Sequence, residues 1–130
     1  MTVAYVDASA LTKLLLEEVE SSAMLRWYVE AERVVTNRIG IVETRRAVAR
    51  RQPDVDDERF ELLSRSIETF ELNARIGQVA ATIGPASLRT LDAIHLATAL
   101  AIGGIDAFVT YDDRLADAAR SIGLPVVRPA

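Results

Sequence analysis

The chain of 130 residues contains no cysteine, which excludes disulfides, thiolate metal sites and cysteine nucleophiles. It has a single lysine, Lys13, and a single histidine, His95. No hydrophobic run is long enough to span a membrane, and no basic segment of the signal-peptide kind precedes the first apolar residues. We therefore expect a cytoplasmic protein.

Hydrophobic residues make up 50% of the chain, and the mean hydropathy is +0.16. This composition supports a sizeable core, and the length predicts one domain over residues 1–130. The net charge of −4 weighs mildly against nucleic-acid binding. One stretch differs, because a single acid, Glu43, stands among six arginines at positions 33, 38, 45, 46, 50 and 51. They form either a solvated helix face or a surface for an anionic partner.

Short β-rich runs alternate with segments of helical periodicity. The predicted strands are Val3–Val6, Val34–Thr36, Ile67–Leu72, Ala107–Thr110 and Val126–Val127. A first helix is predicted directly after Asp7, from the helical spacing of Leu11, Leu14, Leu15 and Val19. A second is predicted to be capped by Ser21 or Ser22 and to run to about Ala31. The other predicted helices are Ile39–Arg50, Glu58–Ser66, Ala74–Ile83, Leu91–Leu100 and Leu115–Ile122. This alternation predicts an α/β fold with a parallel sheet and helices on both faces.

The segment Leu91–Leu100 is apolar nearly all the way round a helix, which is typical of a buried helix. It nevertheless carries Asp92, and buried carboxylates are normally paired, hydrogen-bonded or bound to metal. A simpler interpretation is that Asp92 suits the positive N-terminus of the helix.

Four acids are candidates for one cluster. Asp7 follows the first predicted strand and Asp112 the fourth, and ligands of open α/β sheets bind beyond the carboxyl ends of strands. Glu43 and Asp92 are the other two. Clustered carboxylates repel one another, so such a cluster needs protons or cations. Oxygen ligands favour Mg²⁺ or Mn²⁺ over Zn²⁺, and nearby arginines suit a phosphate ester. Each acid alone could equally be a helix cap or a surface charge.

Four segments together resemble the PIN-domain family, and within it the VapC-type toxins of bacterial toxin–antitoxin pairs. They are Asp7-Ala8-Ser9 after an N-terminal strand, Glu43 in a mid-chain helix, Leu91-Asp92-Ala93-Ile94-His95-Leu96-Ala97, and Val109-Thr110-Tyr111-Asp112. The resemblance covers nearly the whole chain, and the segments around Asp92 and Asp112 are the most specific.

The resemblance implies a three-layer α/β/α sandwich and an endoribonuclease that depends on Mg²⁺ or Mn²⁺ and leaves 5′-phosphate and 3′-hydroxyl ends. Asp7, Glu43, Asp92 and Asp112 match the acids of the family's metal site, where they serve as metal ligands and in catalysis. Ser9 and Thr110 match positions whose hydroxyls support that site. The resemblance also implies a cognate antitoxin and a homodimer.

Other residues keep two interpretations. His95 could be a general base, although a buried, hydrogen-bonded role is preferred because a metal-activated water needs no imidazole. Trp27 and Tyr28 could stack on bases, but core or interface packing is commoner. Arg45, Arg46 and Arg50 are candidates for contacts with RNA or with an antitoxin acid. Either Asp112 or Asp113 could cap the last helix, and one could bind metal while the other caps; the resemblance favours Asp112 as the ligand. Asp113 and Asp117 are otherwise treated as surface or capping acids.

Two rival functions are weaker. A phosphoaspartyl phosphatase would need a second acid two residues after Asp7, where this chain has Ser9, and a receiver domain would need a lysine late in the chain. A catalytically silent module that binds RNA or protein on the same scaffold is the main alternative.

Overall fold

The computed structural model describes residues 2–130, in which five strands alternate with seven helices. The strands are β1 (Val3–Val6), β2 (Arg33–Asn37), β3 (Glu68–Phe70), β4 (Ala107–Val109) and β5 (Val126–Val127). The helices are α1 (Ala8–Thr12), α2 (Ser21–Glu30), α3 (Arg38–Arg51), α4 (Asp57–Arg65), α5 (Ala74–Ala80), α6 (Thr90–Ile102) and α7 (Asp113–Ser121).

All strand pairs are parallel, and the order across the sheet is β3-β2-β1-β4-β5. The chain moves outward from β1 to β3 and then returns to the other side of β1 to form β4 and β5. The direction of winding therefore reverses between β1 and β4, where Val6 pairs with Val109. Ligand sites of open α/β sheets lie beyond the strand ends at such a reversal.

Successive residues of β1 point to opposite faces of the sheet, as strand geometry requires. Ala4 and Val6 pack with Leu11 of α1 and Met24 of α2 on one face. On the other face Tyr5 packs with residues of α6 and α7. Because helices cover both faces, the predicted three-layer α/β/α architecture is confirmed.

The first predicted helix is wrong in its length. The helix α1 ends at Thr12, turns follow to Leu16, and Val19 is 97% exposed. Leu15 and Leu16 lie beyond the end of the helix, and both are buried against Val48 of α3.

The predicted cap of α2 is also wrong. Glu20 precedes the helix without a side-chain cap, and Ser21 is its first residue. The Ser21 hydroxyl instead donates to the carbonyl of Leu16 and accepts from the amide of Glu18. It therefore closes the loop before α2.

The helix α6 is buried on nearly every side, as its composition predicts. It ends at Gly103, whose φ of 70° is a conformation that favours glycine. No helix within residues 2–130 is long and apolar enough to cross a bilayer.

Candidate active site

Asp7 lies at the carboxyl end of β1, and its side chain is only 3% exposed. Its Oδ1 accepts from the Ala10 amide at 3.0 Å and from the Ser9 hydroxyl at 2.7 Å. Its Oδ2 accepts from the Thr110 hydroxyl at 2.6 Å. Asp7 is thus both the N-cap of α1 and the acceptor for the two hydroxyls that the sequence picks out.

Burial raises the pKa of the Asp7 carboxyl above its ordinary value, although hydrogen bonds from Thr110, Ser9 and Ala10 act in the opposite direction. Removal from water disfavours the charged form of an acid, and donors to a carboxylate favour it. A cation beside Asp7 would act in the same direction as those donors.

Asp112 begins α7 at the end of the loop that follows β4. Its Oδ1 accepts from the amides of Arg114 and Leu115, so Asp112 is the N-cap of α7. Asp113 is exposed and pairs with Arg128 at 2.7 Å. Of the two alternatives for the cap of α7, Asp112 is therefore the cap and Asp113 is not. Asp112 caps through one oxygen, and within residues 2–130 its Oδ2 accepts no hydrogen bond.

Glu43 projects from α3 toward α6, where its Oε1 lies 2.8 Å from Nε2 of His95. The other ring nitrogen of His95, Nδ1, lies 2.7 Å from the Tyr5 hydroxyl. His95 is 1% exposed, so the preferred interpretation of a buried, hydrogen-bonded histidine agrees with its surroundings. Sequence reasoning missed Tyr5, although a tyrosine inside a buried strand signals a hydroxyl that needs a partner.

Asp92 stands in the first turn of α6 and has no hydrogen-bond partner within residues 2–130. Burial raises the pKa of its carboxyl, and so do the negative charges of Asp112, Glu43 and Asp7, in that order of effect. The positive N-terminus of α6 favours the Asp92 carboxylate, whereas burial and three neighbouring negative charges disfavour it. Asp7, Glu43 and Asp112 are thus close enough to act electrostatically on Asp92.

A protein-family model described as "PIN domain" matches residues 4–121. The chain belongs to the PIN-domain family. It is 41% identical to ribonuclease VapC47 of Mycobacterium tuberculosis, with 96% of each chain covered. Its fold resembles the crystal structure of M. tuberculosis VapC20, described as a "Sarcin-Ricin loop cleaving toxin", at 18% identity and a TM-score of 0.74, with 97% of this chain and 99% of that one covered.

A toxin–antitoxin complex from Klebsiella pneumoniae has a similar fold, with a TM-score of 0.71, 17% identity and 98% of each chain covered. The PIN-domain family predicted from the sequence is thereby confirmed. PIN-domain ribonucleases are generally dependent on divalent metals.

The carboxylate oxygens of this PIN domain are ligands that fit a divalent cation. Three carboxylates act on that of Asp92, and neither Asp92 nor the Oδ2 of Asp112 has a donor within residues 2–130 to neutralise it. As the side chains stand, no group of three or more acids or histidines in the described part of the chain is arranged to hold an ion. Side-chain rotation would be needed to reach the Mg²⁺–oxygen distance of about 2.0–2.1 Å.

The six arginines of the basic stretch fall into two groups. Arg33, Arg38, Arg45 and Arg51 form ion pairs, and Arg45 also lies over the ring of Phe60 while it pairs with Asp57. Arg46 and Arg50 have no partner within residues 2–130, and both are exposed. They line a groove of about 480 Å³ together with Ser9 and Glu43 of the PIN-domain site.

A second groove lies on the Asp92 side of the site. It has a volume of about 580 Å³ and is lined by Asp92, Arg89 and Arg114. Neither guanidinium forms a hydrogen bond or an ion pair within residues 2–130. Sequence reasoning missed both arginines, because neither belongs to a cluster of basic residues. The one sequence feature that could have found them is their position a few residues from Asp92 and Asp112.

Trp27 and Tyr28 do not face the site. Both pack against the core on the α1–α2 face of the sheet, and the Tyr28 hydroxyl bonds to that of Ser66. Asp117 is exposed and pairs with Arg120 across one turn of α7, which agrees with its treatment as a surface acid.

Proposed function

We propose that this chain is a single PIN-like nuclease domain over residues 1–130, a toxin that hydrolyses RNA at a metal ion held by Asp7, Glu43, Asp92 and Asp112. The observation that carries the proposal is that the charges of Asp7, Glu43 and Asp112 all act on Asp92, while Glu43 and Asp92 each line a groove that also holds unpaired arginines. The endoribonuclease activity and the toxin class predicted from the sequence are confirmed by the family and by relatives named ribonucleases.

The proposed metal is Mg²⁺ or Mn²⁺. When bound, it would supply positive charge to the phosphoryl oxygens and to an attacking water. Asp7 would contribute a carboxylate whose orientation the Ser9 and Thr110 hydroxyls fix. Asp112 would contribute Oδ2, because its Oδ1 is used by the cap of α7. Asp92 would contribute oxygens that no donor of residues 2–130 occupies.

The proposed path of the RNA runs from one groove to the other across the acids. Arg46 and Arg50 would hold phosphates on the Glu43 side, and Arg89 and Arg114 would hold phosphates on the Asp92 side. Contacts of this kind position a nucleic acid without reading its sequence. Arg45 is left out of the path because Asp57 already neutralises it.

Three further expectations belong to the same proposal. The relatives of the VapC type and the toxin–antitoxin complex support a cognate antitoxin. Arg46 and Arg50 could bind an acidic residue of that antitoxin instead of RNA. A homodimer is proposed from the family resemblance alone, and a cytoplasmic location is the expectation drawn from the sequence.

The decisive experiment is a cleavage assay on a pool of structured RNAs, with Mn²⁺, Mg²⁺ or EDTA. Asp112→Asn and Asp113→Asn form a matched pair, because the two residues are neighbours and receive the same change. Asparagine is as good an N-cap as aspartate, so Asp112→Asn should keep α7 intact. We expect cleavage by the wild type and by Asp113→Asn with Mn²⁺ or Mg²⁺, and its loss in Asp112→Asn and in EDTA.

The silent binding module makes the opposite prediction. Such a protein would hold RNA equally well with EDTA and with metal, and it would never cut. Equal cleavage by the two variants would instead show that Asp112 is not part of the site.

The path of the RNA has its own test, on a cleavage-deficient Asp7→Asn background. The dependence of RNA affinity on salt should weaken by roughly 0.7 in log–log slope for each phosphate that an arginine no longer neutralises. We expect this for Arg46→Ala with Arg50→Ala and for Arg89→Ala with Arg114→Ala. Arg75→Ala is the control, since Arg75 is exposed, unpaired within residues 2–130 and outside both grooves. Slopes equal to that of the control would refute the path.

A further inference from the structure

A chain of buried hydrogen bonds connects the sheet to Glu43. The backbone amide of Asn37, at the end of β2, donates to the Tyr5 hydroxyl at 3.2 Å. That hydroxyl lies 2.7 Å from Nδ1 of His95, and Nε2 of His95 lies 2.8 Å from Oε1 of Glu43. Tyr5 and Asn37 are fully buried, and His95 nearly so.

The direction of these bonds follows from the number of protons present. The Glu43 carboxylate can only accept, so the proton between it and His95 belongs to Nε2, and the Tyr5 hydroxyl, which accepts from Asn37, donates its own proton to Nδ1. Nδ1 is then an acceptor and Nε2 carries the ring proton, which it donates to Glu43.

The packing leaves the imidazole little room to turn. The Tyr5 ring meets it edge-on, with centroids 5.7 Å apart, and is itself stacked on Phe108 at 5.2 Å. On the other side lies Gly40 of α3, where an added Cβ would stand 3.1 Å from Cε1 of His95 and 2.7 Å from Oγ1 of Thr36. The absent side chain therefore allows α3 to lie against the ring.

We propose that Tyr5 and His95 are positioning residues, which set the tautomer and orientation of the imidazole so that its Nε2–H holds the Glu43 carboxylate toward the other three acids. The inference rests on the proposed function of Glu43 as a metal ligand. Glu43 is the acid that most needs such support, because it lies on a long side chain and does not cap a helix. Carboxylate ligands held by outer hydrogen bonds bind metal more tightly than free ones.

The same geometry argues against His95 as a general base. Nδ1 is occupied by Tyr5 and Nε2 by Glu43, and the ring is 1% exposed. Neither nitrogen is within reach of a bound RNA, so His95 acts through Glu43.

The test compares His95→Leu, His95→Gln and Tyr5→Phe. Leucine removes the donor, glutamine places an amide N–H near the position of Nε2, and phenylalanine removes only the hydroxyl that sets the tautomer. Ser64→Ala is the control, because it removes a side-chain hydrogen bond, to the carbonyl of Phe60, that lies outside this chain. Melting temperatures identify any variant that fails to fold, and Tyr5→Phe still tests the proposal if His95→Leu does not fold.

We expect His95→Leu to weaken Mn²⁺ binding, measured by calorimetry, by about 10–100-fold. The turnover number should fall with it while KM for RNA changes little, and His95→Gln should restore most of both. In a Glu43→Gln background, His95→Leu should have almost no further effect, because residues that act through one another are not additive. Full additivity, or unchanged Mn²⁺ affinity in folded His95→Leu, would overturn the proposal.

A second readout needs neither RNA nor metal. Nitrogen-15 shifts of the imidazole in the metal-free wild type should report a protonated Nε2 and an unprotonated Nδ1, and Tyr5→Phe should disturb this preference. A protonated Nδ1 in the wild type would overturn the assignment of donors. Absence of RNA cleavage by the wild type would instead refute the proposed function, and the tautomer measurement would still test the hydrogen-bond chain.

Discussion

The acids of the candidate site divide into two on the strand ends and two inside helices. Asp7 and Asp112 each follow a strand, and each caps the helix that begins at the next residue. Glu43 and Asp92 lie within α3 and α6 and accept no hydrogen bond from the backbone of residues 2–130. The strand-end acids therefore cap helices as well as contributing to the site. Glu43 has His95 as its partner, and Asp92 has no hydrogen-bond partner within residues 2–130 while burial disfavours its charge.

This difference separates effects on chemistry from effects on stability. Removing the charge of any of the four should abolish most cleavage. At Asp92 the same change should also make the metal-free protein more stable, because burial and neighbouring negative charges disfavour its carboxylate and no hydrogen bond within residues 2–130 is lost.

The largest expected effect is that of Asp7→Asn on cleavage. Loss of one charged group at the reacting centre should lower kcat by about 10²–10³-fold. Asparagine still accepts from the Ala10 amide, so the cap of α1 and the melting temperature should be kept. Initial rates on a cleaved RNA, with circular dichroism as the control for folding, test this. Activity within about tenfold of the wild type would remove Asp7 from the site.

A smaller loss is expected from Thr110→Val, which keeps the shape of the side chain but removes its hydroxyl. Thr110 donates to Asp7 and accepts from the amide of Asp112, so it joins the two strand-end acids. We expect a decrease in cleavage of roughly tenfold or more, as for other outer hydrogen bonds of metal ligands. Ser64→Ala, on α4 and outside both grooves, should have no effect. Equal rates for both variants would show that the hydroxyl does not matter.

For stability, Asp92→Asn should raise the melting temperature of the metal-free protein by a few degrees. Burial and the charges of Asp112, Glu43 and Asp7 all disfavour the Asp92 carboxylate, and the amide avoids these costs. Differential scanning calorimetry in EDTA measures the shift. A lower melting temperature than the wild type would contradict the division between helix and strand-end acids.

The smallest expected effect is the pH dependence of the difference in melting temperature between Asp92→Asn and the wild type. The pKa of Asp92 is raised in the folded state above its ordinary value, so the folded protein binds the proton more tightly than the unfolded chain. The resulting stability is fully present below the unfolded pKa and is lost as pH rises through the folded pKa. The advantage of Asp92→Asn in EDTA should therefore grow as pH rises from about 4 and then level off. A constant difference across this range would refute the assignment.

The sequence predicted the strand half of the site better than the helix half. Parallel strands bring their carboxyl ends to one edge, so the neighbourhood of Asp7 and Asp112 followed from the pattern of strands alone. The position of Glu43 depends on how α3 meets α6, through Gly40 and His95, and no local pattern encodes that contact. For the same reason the sequence did not show which arginines are free to bind an anionic partner. Arg38 and Arg45 are neutralised by Glu71 and Asp57, which are distant in the chain.

Gly40 has a consequence for the genetics of this protein. Alanine in place of glycine within a helix ordinarily stabilises it by about 1 kcal/mol. Here one added methyl group would press on Thr36 and on the imidazole that holds Glu43. A selection for cells that survive expression of the toxin should therefore recover Gly40→Ala together with changes at the carboxylates, although alanine removes no charge and no hydrogen-bonding group.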